Sequence, residues 1–112
     1  MTRRILSGLA PVLLALPLSL LSACGGVSHL DLCYMACDSA RTCLSSNDAT
    51  YTNCRNTCNS NKGAYADEDA RLARECKNAG DIMNKKAACY NKSCLEIGIC
   101  LTSGDTNACV KP

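Results

Sequence analysis

Cysteines 33, 37, 54 and 58 fall into two pairs, each spaced i, i+4. On a helix, residues four apart stack on one face, one turn from each other. Two antiparallel helices that each carry such a pair can be bridged twice, and the partner order then reverses. The spacing predicts a helical hairpin closed by Cys33–Cys58 and Cys37–Cys54. The chain has eleven cysteines among its 112 residues, the others being Cys24, Cys43, Cys76, Cys89, Cys94, Cys100 and Cys109. It has no Trp and no Phe, and its four tyrosines are at 34, 51, 65 and 90. A small domain without large aromatics has a thin core and depends on covalent staples.

The first 24 residues, MTRRILSGLAPVLLALPLSLLSAC, have the layout of a secretory signal peptide. Arg3 and Arg4 form a positive start, and the segment 5–21 is apolar. That segment sits at the lower edge of what spans a bilayer. Gly8, Pro11 and Pro17 also make it a poor permanent membrane helix. An ordinary signal peptidase wants a small residue three before the cut, where Leu21 is too large. LSAC at 21–24 instead resembles the bacterial lipobox at all four positions. The resemblance implies cleavage between Ala23 and Cys24, with a diacylglyceryl thioether on the Cys24 sulfur and often an acyl group such as palmitate on its new amino group. Two or three chains anchor stably where one does not. TRRIL faintly resembles a twin-arginine export signal, but Ser7 stands where a hydrophobic residue is usual, so the general secretory route is favoured. Gly25 stands where an Asp marks inner-membrane retention in Gram-negative families, which implies transport to the outer membrane.

With residues 1–23 removed, 24–29 reads as a lipidated tether and 30–112 as one cysteine-rich domain. Ten acidic and ten basic residues then remain, so the mature net charge is zero. No basic face is indicated, and nucleic acid is not an expected partner. With Cys24 used by lipid, the odd cysteine total becomes an even ten. Ten exported cysteines read as five disulfides. Each contributes about 2–4 kcal/mol.

The expected fold is all-α: a small disulfide-stapled bundle of about four short helices with a loop-like C-terminal tail. Ser28 and Asp31 have capping-box spacing. A first helix is expected over 29–44, with Cys33, Ala36, Cys37, Ala40 and Leu44 inward. SSND at 45–48 is a turn. A second helix is expected over 49–61, stopped by Gly63. A third is expected over 66–79, with DED (67–69) at its start, Leu72, Cys76 and Ala79 inward, and Gly80 at its end. Asp81 would cap a fourth over 82–97, with Met83, Ala87, Tyr90, Cys94 and Ile97 aligned and Gly98 after it. Residues 99–112 read as a loop closed by Cys100 and Cys109. The six cysteines outside the hairpin allow 15 pairings. Cys43 is expected to meet the C-terminal segment. CYMACDSARTC (33–43) and CYNKSCLEIGIC (89–100) echo each other weakly.

The paired spacing resembles the twin CX3C hairpins of several unrelated small oxidised proteins. Together with the lipobox, the whole layout resembles small cysteine-rich helical lipoproteins of Gram-negative bacteria. The resemblance implies an envelope location and no particular activity.

The sequence contains no CxxC, so thioredoxin-like, iron–sulfur and zinc-ribbon spacings are missing. His29 is the only histidine, in the tether or first turn, where a triad role is not expected. DED reads as a solvated helix start rather than a cation site. NKS (91–93) fits a glycosylation sequon that means little in a bacterium. The expectation is a non-enzymatic, lipid-anchored structural or partner-binding domain, with no cofactor and no metal, held to the membrane by its anchor and open to an unidentified protein partner. The alternative is a thiol-based Cu(I) buffer, which resembles exported four-helix copper-storage proteins with CX3C pairs. Met35 lies two residues from both Cys33 and Cys37, so on a helix it points away from them. That departure, and the need for reduced thiols in an oxidising compartment, weigh against the alternative.

Overall fold

The structure, a computed structural model, describes residues 26–112. The signal peptide, the LSAC motif with Ala23 and Cys24, and Gly25 lie outside the described residues. What is described is helical, with no strand. Four helices of three turns or more, α1 (His29–Cys43), α2 (Asp48–Ser60), α3 (Lys62–Glu75) and α4 (Ala79–Cys89), precede the shorter α5 (Cys94–Leu101) and α6 (Gly104–Asn107).

Ser28 starts α1 with a full capping box. Its hydroxyl accepts the Asp31 N–H at 3.1 Å, and the Asp31 carboxylate accepts the Ser28 N–H at 3.0 Å. The folded part therefore begins inside the segment expected to be tether. Leu44 caps the other end, beyond the last helical residue, and is 77% exposed rather than facing inward; Ser45 follows at φ 53°. Asn47 starts α2 by accepting the Thr50 N–H at 2.8 Å. The two helices pack as an antiparallel hairpin, and α1 also touches α3 and α4.

Three boundaries differ from expectation. Asn61 alone separates α2 from α3, which runs 62–75 rather than 66–79. Gly63 and Gly80 are second residues of α3 and α4, not stops, since no described glycine takes the positive φ that ends a helix. DED therefore sits in mid-helix, where Asp69 reaches His29 and Glu68 pairs with Arg71. The expected helix 82–97 is two helices. Amides of Tyr90, Asn91 and Lys92 bond back to carbonyls three residues earlier, and Ser93 restarts the chain as the cap of α5 with its hydroxyl on Glu96 at 2.6 Å. Gly98 lies within α5.

The C-terminal segment is not closed by Cys100 with Cys109. Cys100 bonds to Cys89 and folds α5 back on α4, while Cys109 bonds to Cys76. Asn78 fixes the tail from both sides, donating to the Ala108 carbonyl at 2.7 Å and accepting the Val110 N–H at 2.8 Å.

The core is small and mostly sulfur. Six apolar residues are buried among the described residues: Cys37, Cys58, Cys76, Cys89, Ile82 and Met83. Because four of the six are half-cystines, burial and cross-linking stabilise the fold at the same positions.

Candidate functional site

The hairpin is built around two stacked bridges, Cys33–Cys58 and Cys37–Cys54, one helical turn apart along α1 and α2. The inner sulfurs of Cys37 and Cys58 lie 3.6 Å apart across the two bonds. The sulfurs of Cys33, Cys37 and Cys58 all fall within 4.8 Å of one another. As disulfide sulfurs they carry no thiolate, so the cluster as it stands is a weak metal donor set. The Tyr65 hydroxyl on α3 donates to the Cys33 sulfur at 3.4 Å. Met35 lines a groove between α1, α4 and α5 together with Ser39 and Cys43.

On the outer face of the hairpin, arginines and tyrosines alternate. Arg41 stacks on Tyr51 at 4.5 Å, and Arg55 stacks on Tyr34 at 4.2 Å and approaches Tyr51 at 5.8 Å. The Tyr51 hydroxyl donates to Asp38 at 2.6 Å, Arg41 pairs with Asp48 at 2.6 Å, and Tyr34 donates to Asn59. These contacts tie α1 to α2 and leave little free charge.

His29 is the first residue of α1. Its ring Nδ1 lies 2.5 Å from the Asp69 carboxylate, which also accepts the His29 backbone N–H at 2.9 Å. The pair docks α1 on α3. Nearby, Arg71 bridges Glu68 and Glu75; its hydrogen bond holds the Glu68 carboxyl below its ordinary range, and the two carboxylates push the guanidinium further up.

The groove between α1, α4 and α5 has a volume of about 630 Å³. Met35 and Ser39 line it from α1, and Ala87, Tyr90, Lys92 and Ile97 line it from the opposite side. Partial burial pushes the Tyr90 phenol up. The Cys43–Cys94 disulfide forms part of the wall and joins the end of α1 to the start of α5. Reading 82–97 as one helix hid this groove. The polar run YNKS at 90–93 was the available signal for a turn there.

Comparison with protein families, with curated proteins and with solved structures finds no match to this chain. Among the described residues, no helix is long and apolar enough to cross a membrane.

The ten cysteines expected in the domain form five bonds: Cys33–Cys58, Cys37–Cys54, Cys43–Cys94, Cys76–Cys109 and Cys89–Cys100. Chain-entropy arithmetic ranks them by loop length. The 51-residue separation of Cys43–Cys94 is worth about 4 kcal/mol and the 11-residue separation of Cys89–Cys100 about 3 kcal/mol.

Proposed function

We propose that this chain is a lipid-anchored protein of the cell envelope whose disulfide-rich helical domain has a structural or partner-binding role and catalyses no reaction. The observation that carries the reading is cysteine bookkeeping: the ten domain cysteines satisfy one another, and the eleventh is Cys24 in LSAC. Cys24 would carry the lipid after cleavage behind Ala23, the membrane would be reached through that anchor, and Gly25 favours the outer membrane. The balanced charge of the mature chain supports a protein partner over a nucleic acid.

The test is the intact mass of membrane-extracted protein, alkylated before and after reduction. Residues 24–112 plus lipid, with ten alkylations only after reduction, is the expected result. Palmitate label retained by Cys24→Ser would defeat the anchor.

The proximity of the Cys33, Cys37 and Cys58 sulfurs favours a second reading, a thiol-based Cu(I) or other soft-metal buffer. It requires both hairpin bridges to be open in the envelope. Several equivalents of Cu(I) bound tightly by the protein as isolated would make it the leading one.

A further inference from the structure

Four of the five disulfides share one property. Each has one half-cystine buried in the core: Cys58 at 0% exposure, Cys37 at 1%, Cys76 at 3% and Cys89 at 0%. A thiolate that attacks the outer sulfur of such a bridge must expel a thiolate into an apolar interior, where burial disfavours its charge. Attack on the inner sulfur is blocked by packing. Cys76–Cys109 illustrates both obstacles. Cys109 is exposed, but the leaving group would be buried Cys76 at the C-terminal cap of α3, where the helix field is unfavourable to an anion.

Cys43–Cys94 differs. Cys43 is half-buried, Cys94 is exposed, and neither belongs to the core. Both residues line the groove between α1, α4 and α5, which gives an external thiol a path to the bridge without opening the fold. Cys94 is the first residue of α5, so a departing Cys94 thiolate would face solvent and the free amides of the first turn. The topology sets the bridge apart as well. Two bridges lie within α1–α2 and two lie within residues 76–109, so Cys43–Cys94 is the one disulfide between these halves among the described residues.

We propose that Cys43–Cys94 is the exchangeable disulfide of this protein, the point at which an external thiolate, carried by a small thiol or by a cysteine of a partner protein, forms a mixed disulfide. The incoming thiolate bonds to Cys43 Sγ, the Cys43–Cys94 bond breaks, and its electron pair leaves on Cys94 Sγ. A second external thiolate then attacks the mixed bond, leaving Cys43 reduced and the two external thiols joined as a disulfide. Two electrons pass from the external thiols to the protein, and the two halves lose the disulfide that joins them, staying connected through the main chain of α3 while each keeps two bridges.

The inference rests on the oxidised scaffold proposed above, and one experiment separates the two. The native protein is treated briefly with limiting reduced glutathione, quenched with an alkylating reagent and mapped by peptide mass spectrometry. The expected result is glutathione on Cys43 and alkyl label on Cys94, appearing at least about tenfold faster than modification of any other cysteine. First modification of any other pair, or of all pairs together, overturns the exchangeable bridge and leaves the scaffold standing. Glutathione on Cys94 in place of Cys43 overturns the direction of attack. Hairpin cysteines that alkylate before glutathione is added overturn both readings. A Cys43→Ser/Cys94→Ser variant supplies the control: its remaining four bridges should resist the same treatment, and rapid modification in this variant also overturns the inference.

Discussion

The two halves of this domain use the same bond differently. In the hairpin α1–α2, both bridges run between the same two helices, one turn apart, and an arginine–tyrosine ladder covers the outside. In the half formed by α4–α6, one bridge folds α5 back over 11 residues and another pins the tail over 33. The hairpin bridges duplicate a contact the helix faces already make. Those of the C-terminal half make contacts that its short helices could not hold alone, since isolated helices of this length are marginal in water. Redundancy on one side and dependence on the other predict that damage is tolerated unequally.

The largest effect should come from cutting the link between them. Cys43→Ala with Cys94→Ala should cost about 4 kcal/mol by loop entropy. Thermal unfolding followed by circular dichroism should then separate into a hairpin step and an earlier C-terminal step. A single unshifted transition would break the comparison. Next, Met83→Ala removes one of the two buried side chains of the core that are not cysteine. It should cost about 3 kcal/mol, read as a lower denaturant midpoint, with the loss concentrated in the C-terminal half. On the hairpin side, Arg55→Ala removes the cation from Tyr34 and Tyr51 and should cost about 1 kcal/mol. Chemical denaturation of the Met83 and Arg55 variants side by side would sharpen the contrast, and an equal loss from the two would erase it. The smallest change is a gain. Ser45→Gly relieves a positive φ at the hairpin turn and should add about 0.5–1 kcal/mol, measurable as a rise in melting temperature.

The hairpin was legible because its signal is local and periodic. Cysteines at i, i+4 on two amphipathic segments leave one antiparallel geometry, and the capping box at Ser28 and Asp31 marks the start of α1. The C-terminal half was opaque for the opposite reason. Its pairings join residues of unrelated local pattern, and six cysteines carry no code for which joins which. The break at 90–93 was missed because Ala87, Tyr90, Cys94 and Ile97 keep a helical period across it, while the stop comes from Ser93 and from the two bridges that flank it. Glycine misled three times, at Gly63, Gly80 and Gly98, where the helices run on in ordinary right-handed geometry. The groove depends on that same break, so no reading of the chain as four continuous helices could contain it.

The sulfur-built interior has a consequence for when the chain can hold a shape at all. With the bridges open, its four inner cysteines are small side chains on separate helices, and Ile82 and Met83 are all that remains to collapse upon. In a reducing medium the polypeptide would stay loose and threadable. The oxidant it meets acts as the last instruction for folding, supplying in one chemical event both the interior and the fasteners that close it.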